Sequence, residues 1–108
     1  MTVSELAVKY SMTPLAMPEP DRVITGGYSG DLLSWVMSRA QSGDAWVTIM
    51  SNVNIIAVAS LSDAACVILG EGVQPDAEVI SIANAKGVNV LSSSRPVFYI
   101  AGEIASEI

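Results

Sequence analysis

The chain has 108 residues, enough for one domain, and combines 51% hydrophobic with only 15% charged residues, which argues against disorder. Eleven acidic against five basic residues give a net charge of −6, so there are too few cations to neutralise a nucleic-acid backbone, and we expect no nucleic-acid partner. The absence of histidine excludes histidine-dependent triads, histidine metal ligands and histidine pH switches.

Local signals divide the chain into alternating helices and strands. Thr2 and Glu5 form a capping box at the start of the first helix. Pro14 indicates that its strand lies at a sheet edge. A helix begins directly after Pro75, and Gly87 ends it. The predicted elements are helix 3–10, strand 13–17, strand 22–25 closed by Gly26-Gly27, helix 31–41, strand 45–49, helix 53–61, strand 65–69, helix 76–86, strand 88–91 and helix 96–107.

The alternation of these elements predicts the fold class. Short connections between strand and helix favour an α/β domain over residues 1–108, with a largely parallel or mixed sheet between two helical layers. The strands at 45–49 and 65–69 are continuously apolar, as expected for strands covered on both faces. The pattern leaves the strand order open.

The helix predicted over residues 53–61 has almost no polar face. The sheet can bury Ile55 and Val58, which leaves other apolar side chains of this helix pointing elsewhere. Monomers seldom expose large apolar patches, so we predict a homodimer through this helix; the alternative is that neighbouring helices cover it within one subunit. The predicted interface residues are Val53, Ile56, Trp35 and Tyr99.

The loops that follow parallel strands share one edge of the sheet, where ligands bind in open α/β folds. Small and polar residues in these loops would let a phosphate approach the N–H groups of the helix starts, although turns and helix caps need the same residue types. We therefore predict one concave ligand-binding cluster, close to the acidic residues Asp31, Glu71 and Asp76. Its candidate residues are Thr25, Gly26, Gly27, Asn52, Gly70, Gly72, Ser92 and Ser93.

The sequence predicts no catalytic residue, metal site or cofactor. Ser92–Ser94 has no histidine and no nearby lysine to activate a hydroxyl. Asp31, Asp44 and Asp63 lie at separate loop ends, where aspartate is ordinarily a cap. Cys66 lies in an apolar run that favours a buried structural thiol over a nucleophile.

The N-terminus lacks the basic start and apolar core of a signal peptide, and no apolar run approaches the about 18–20 residues of a membrane helix. We therefore expect a cytoplasmic protein with no membrane partner.

An ordered series of short motifs resembles the DRTGG domain family. Asp21-Arg22 is followed by Thr25-Gly26-Gly27, then by the strand Trp46–Ile49, the turn Gly70-Glu71-Gly72 and the helix end Lys86-Gly87. The resemblance extends from about Asp21 to Glu103 and implies a fold like the N-terminal domain of HPr kinase/phosphatase. Members of the family also occur in phosphotransacetylases and beside CBS domains in regulated pyrophosphatases. The second turn reads Gly70-Glu71-Gly72, without the Thr-Gly-Gly often seen there in relatives.

What the resemblance implies about function is a regulatory module. HPr kinase/phosphatase, whose N-terminal domain such domains resemble, depends on a separate P-loop for its kinase activity, and the chain contains no Gly-x4-Gly-Lys-Ser/Thr. We therefore predict a non-catalytic regulatory or ligand-sensing and oligomerisation module that binds a nucleotide, a phosphorylated metabolite or a partner protein. A small phosphotransfer or hydrolytic enzyme that uses the loop cluster and a purely structural assembly module are the alternatives.

Overall fold

A five-stranded sheet lies between two layers of helices in the computed structural model, which describes residues 1–108. The elements in chain order are α1 (Val3–Lys9), β1 (Thr13–Ala16), β2 (Gly26–Ser29), α2 (Leu33–Arg39), β3 (Asp44–Thr48), α3 (Asn54–Ser62), β4 (Cys66–Leu69), α4 (Ala77–Lys86), β5 (Val90–Ser92) and α5 (Val97–Ala105). The predicted α/β fold class is confirmed. None of the helices is long and apolar enough to span a membrane.

The strand order is β1-β5-β4-β3-β2. The strands β2, β3, β4 and β5 are parallel and follow one another across the sheet, and β1 pairs antiparallel with β5 at the edge predicted from Pro14. Right-handed crossovers between successive parallel strands place α2, α3 and α4 on one face. The helices α1 and α5 cover the other face, which gives the three predicted layers.

Each face of the sheet has its own core. On one side, Leu6 of α1 and Ile100 of α5 pack against Ile68 of β4. On the other side, Trp46 of β3 packs with Ile55 of α3 and with residues of α2 and α4. All residues of β3 and β4 are buried, which confirms that these strands are covered on both faces.

The capping signals at the helix ends are confirmed. Thr2 Oγ1 accepts from the Glu5 N–H at 3.2 Å, and Glu5 Oε1 accepts from the Thr2 N–H at 2.8 Å. Gly87 ends α4 in the left-handed region, with φ +73°. These signals depend only on neighbouring residues, so they can be predicted without knowledge of the tertiary structure.

The strand predicted over residues 22–25 is wrong, because the strand of this region begins at Gly26. Residues 22–24 lie along the start of α1: the Val3 N–H donates to Arg22 O at 3.0 Å, and the Ile24 N–H donates to Met1 O at 2.9 Å. The glycines that were predicted to close a strand therefore open β2.

The surface predicted for a dimer is not continuous. Ile56 is only 1% exposed, because α3 is the middle helix of its layer and packs between α2 and α4. Val53 and Trp35 are exposed on this side of the sheet, whereas Tyr99 lies on α5 on the opposite side. The assignment of Ile56 to an interface is therefore wrong. At this position the alternative holds, because neighbouring helices of the same chain cover α3.

Candidate functional site

The predicted cluster is divided between the two ends of the sheet. Gly26 pairs with Asp44, the first residue of β3, and so lies at the amino end of the parallel strands. Gly70 follows β4 at the carboxyl end. The prediction of one concave edge that includes Thr25, Gly26 and Gly27 is therefore wrong, because these residues precede or begin β2. Asn52, Gly70, Gly72 and Ser93 lie at the carboxyl edge, and Ser92 is the last residue of β5 rather than a loop residue.

A topological switch point lies between β4 and β5 at this carboxyl edge. The chain leaves β4 toward α4 on one face and leaves β5 toward α5 on the other. Connections that diverge in this way open a crevice at the strand ends, where open α/β folds bind ligands. We call the loops 70–76 and 93–96, which flank this point, the switch crevice.

Backbone hydrogen bonds draw the two loops of the switch crevice together. The Glu71 N–H donates to Arg95 O at 2.9 Å, and the Gly72 N–H donates to Ser93 O at 2.9 Å. Both Glu71 (φ +60°) and Gly72 (φ +75°) adopt left-handed backbone, which bends the turn toward β5. These bonds hold the two loops against each other, and none of the three cavities of the chain is lined by Gly70, Gly72 or Ser93.

The carboxylate of Glu71 caps α5. Its Oε2 accepts from the Val97 N–H, the first of α5, at 2.8 Å. A carboxylate at this position satisfies a free helix donor and the positive end of the helix dipole. A Cβ at Gly70 would lie 3.0 Å from Val97 Cγ2, so this glycine allows the turn to approach the helix. The cap spans 26 positions of sequence, and no local pattern could have indicated it.

Polar side chains of the other carboxyl-edge loops are also engaged. Asp31 Oδ1 accepts from Thr48 Oγ1 at 2.7 Å and from the Ile49 N–H at 3.1 Å. Asn52 Oδ1 accepts from the Asn54 N–H at 2.9 Å, as a helix-start residue does. These bonds fix the shape of the edge before any ligand arrives.

At the amino edge, Arg22 holds the end of α3. Its Nη1 donates to Asp63 Oδ1 at 3.0 Å, and its Nη2 donates to Asp63 O at 2.9 Å. The Ser42 hydroxyl donates to the other carboxylate oxygen. Hydrogen bonds from Arg22 and Ser42 lower the pKa of the Asp63 carboxyl. Asp63 adopts φ +57°, so the arginine holds a left-handed residue where α3 turns into β4.

The threonine and glycines of the same motif fit against the turn before β3. The Thr25 N–H donates to Gly43 O at 3.0 Å. A Cβ on Gly26 would lie 2.5 Å from Asp44 Oδ1. Asp44 is 6% exposed, and its carboxylate accepts from the Gln41 N–H at 2.8 Å. The motif Asp21-Arg22…Thr25-Gly26-Gly27 thus joins three segments of the chain at the end of the sheet away from the switch crevice.

No group of three Cys, Asp or Glu side chains lies together in a way that could hold a metal ion. Cys66 is the only cysteine and is fully buried in β4. Burial raises the pKa of the Cys66 thiol to about 12.

We expect the Cys66 thiol to be unreactive in the folded protein. At about pH 8 a group with this pKa is thiolate in only about one molecule in ten thousand, and the reagent has no path to it. Ellman's reagent should therefore give no colour with native protein over an hour and one equivalent of thiol in concentrated guanidinium chloride. A fast stoichiometric reaction of the native protein would contradict the burial.

Comparisons with known proteins give a family and a solved structure. The family model of the DRTGG domain matches residues 21–106. The chain is similar to the CBS and DRTGG domains of the regulatory region of Clostridium perfringens pyrophosphatase, solved in complex with the activator diadenosine tetraphosphate. That match has a TM-score of 0.76 and 14% identity, and it covers 99% of this chain and 47% of the other. The chain thus spans about half the length of the solved chain. No curated protein matches the chain.

Proposed function

The chain belongs to the DRTGG domain family, and from this we propose that it is a regulatory module that senses a ligand and carries out no catalysis. The observation that carries the proposal is the fold match over 99% of the chain to a regulatory region that was solved with its nucleotide activator. We therefore propose a nucleotide, or a related phosphorylated metabolite, as the effector class. The proposal includes a cytoplasmic location and a partner protein that receives the signal.

We place the ligand at the switch crevice. Gly70, Gly72, Ser92 and Ser93 border it, and Asn52 lies on the neighbouring loop. The helix α4 begins here at Ala77 without a side-chain cap, so its first N–H groups face the edge. Gly72 supports the assignment because a Cβ there would meet no atom within 4 Å, which leaves open space above the turn.

The acidic residues around the crevice narrow the ligand class. Asp31, Glu71 and Asp76 are all at this edge, and they repel a bare polyphosphate. A nucleoside is a better fit, because its base and ribose bring hydrogen-bond donors that carboxylates accept. We infer that recognition uses the nucleoside at least as much as the phosphates.

Two alternatives remain distinct from this proposal. The first alternative is a small phosphotransfer or hydrolytic enzyme, in which a general base would activate a loop serine as the nucleophile. The Ser93 hydroxyl instead accepts a hydrogen bond from the Arg95 N–H at 3.2 Å, which is a contact of a turn. A structural assembly module would bind no small molecule. A ligand that stabilises the native chain separates sensing from assembly.

The test is thermal denaturation with diadenosine tetraphosphate, ATP, AMP and tripolyphosphate, each at about 1 mM. A ligand at ten times its dissociation constant stabilises by about 1.4 kcal/mol, which raises the melting temperature of a domain this size by several degrees. We expect that rise with at least one adenine nucleotide and a smaller one with tripolyphosphate.

A matched pair of variants locates the response. Gly72 and Gly87 both have positive φ and open space around a Cβ, but they lie at opposite ends of α4. Aspartate tolerates this backbone region better than most residues and adds the same charge at either position. Gly72→Asp should abolish the nucleotide response, and Gly87→Asp should keep it. No rise with any probe would overturn the sensing proposal and favour assembly.

A further inference from the structure

The outer face of α5 is apolar and packs against nothing in the chain. Phe98 is 79% exposed and Tyr99 is 57% exposed, with their rings edge to face at a centroid distance of 5.3 Å. The one charged residue of α5, Glu103, lies one helical turn after Tyr99, and its carboxylate is only 11% exposed and pairs with Arg95 at 2.7 Å. Two exposed aromatic rings on one helical turn are unusual on a monomer, because exposed apolar patches mark sites of association.

Gly102 lies on the same face, one helical turn after Phe98. Glycine in a helix costs about 1 kcal/mol relative to alanine, so a mid-helix glycine is usually explained by a close neighbour. A Cβ on Gly102 would meet no atom within 4 Å. No contact within the single chain therefore requires glycine at this position. Close packing of a second protein chain against α5 would require it.

An apolar recess lies beside this face, between α5 and the edge strand β2. It has a volume of about 170 Å³ and is lined by residues that include Gly27, Ala45 and Val47 of the sheet and Ala101 and Ala105 of α5. A cavity of about 150 Å³ in an apolar core holds a benzene ring. The recess thus has the size and chemistry for one phenyl ring, and the chain's own Phe98 points into solvent instead.

We propose that α5 packs antiparallel against α5 of a second copy of this chain, across a two-fold axis at Ala101 and Gly102. Phe98 and Ala105 are equally distant from that point along the helix, so the axis brings Phe98 of each copy to Ala105 and the recess of the other. The separation of Phe98 and Ala105 is about 10 Å along the axis, two turns of helix. The smallest residues of the face then lie at the crossing, where the two helices are closest.

The charge and the area of this face fit a second copy. Two chains that each carry a net charge of −6 repel one another, but the one carboxylate of α5, on Glu103, is only 11% exposed and is paired with Arg95. A standard interface takes about 800 Å² from each partner, which is about 15% of the 5258 Å² surface of the chain. Phe98 and Tyr99 alone expose on the order of 270 Å² at roughly 200 Å² per residue, and the recess and the β2 edge continue the patch. In a two-fold dimer each copy uses the same patch, so the contact buries this area on both chains.

This inference goes beyond the proposed function and specifies the homodimer that the sequence predicts. Of the interface residues predicted from the sequence it keeps Tyr99 of α5, and it leaves out Val53, Ile56 and Trp35, which lie on the other side of the sheet.

The test is sedimentation equilibrium of the full chain at micromolar concentration. The wild type should have twice the 11.3 kDa mass of one chain. Phe98→Glu should weaken dimerisation at least 100-fold, because it brings two carboxylates into apolar recesses. Gly102→Gln should do the same by filling the crossing point, while the monomer has room for the side chain. Both variants should keep the circular dichroism of the wild type.

Leu61→Glu is the matched control, because Leu61 is 74% exposed on α3 and adds the same charge on the opposite side of the sheet. It should leave the dimer intact. A monomeric wild type, or a dimer that survives both Phe98→Glu and Gly102→Gln, overturns the proposal, and dissociation by Leu61→Glu alone assigns the interface to α3. The nucleotide response is measured separately, so a monomeric wild type that still responds to nucleotide overturns the dimer and leaves ligand sensing standing.

Discussion

Replacing Gly43 with alanine is expected to destabilise the fold by about 3 kcal/mol or more. Gly43 has φ +86°, and a non-glycine residue in this region costs about 1–2 kcal/mol by itself. The new methyl group would also overlap Thr25 Oγ1. Thr25 cannot move aside freely, because its N–H donates to the carbonyl of Gly43 itself at 3.0 Å. The strain and the overlap therefore add.

Gly87→Ala separates these two causes. Gly87 has φ +73° and no atom within 4 Å of a Cβ, so only the backbone strain remains and the loss should be about 1 kcal/mol. Urea titration followed by circular dichroism measures both variants. In the double variant Thr25→Ala/Gly43→Ala the overlap is removed, and its loss should be smaller than the sum of the two single losses. Equal losses for Gly43→Ala and Gly87→Ala would contradict the role given to Thr25.

Asn89→Ala is expected to destabilise the fold by about 2–4 kcal/mol. The side chain is 1% exposed and makes three hydrogen bonds. Its Oδ1 accepts from the Glu19 N–H at 2.9 Å, and its Nδ2 donates to Glu19 O at 2.7 Å and to Ala65 O at 2.9 Å. Truncation leaves the buried Ala65 carbonyl without this donor and frees the loop that carries Glu19 from the sheet.

The control is Asn84→Ala, an exposed asparagine of α4 whose replacement should be neutral or slightly stabilising, because alanine is the better helix former. Urea midpoints compare the two variants. Hydrogen exchange adds a local measurement, since the Glu19 amide should exchange faster in Asn89→Ala at a denaturant concentration where the fold is intact. If that amide stays as protected as in the wild type, Asn89 does not hold the loop.

Features set by neighbouring residues could be predicted from the sequence, and those set by distant contacts could not. The capping box at Thr2 and the glycine end of α4 need only three or four residues, and both are present. The start of β2 was misplaced because Val23 and Ile24 have high strand propensity, while glycine is depleted in strands. Gly26 nevertheless belongs to β2, because β2 has to pass the buried Asp44 carboxylate, and only a glycine leaves it room.

The candidate site shows the same division. The sequence correctly indicated loops at the carboxyl edge, since each follows an apolar strand. It assigned Gly26 and Gly27 to that edge only because their strand was placed four residues too early. The cap from Glu71 to α5 and the apolar α3 face both depend on which helices lie side by side. From the sequence, Ile56 is one apolar residue more than the face of α3 toward the sheet needs. It is buried because α3 has a neighbouring helix on either side.

The place of β1 in the sheet determines the order in which a newly made chain can complete its fold. Each parallel strand pairs with its successor in sequence, so β2 to β5 can join one after another as synthesis delivers them. The strand β1 is made before all of them, yet its partner is β5, where Thr13 lies opposite Ser92. Closing so long a loop has an entropic cost that rises with the logarithm of its length. Until Ser92 has left the ribosome the backbone of β1 stays unpaired, and during that interval Pro14 is the residue that discourages pairing with another chain.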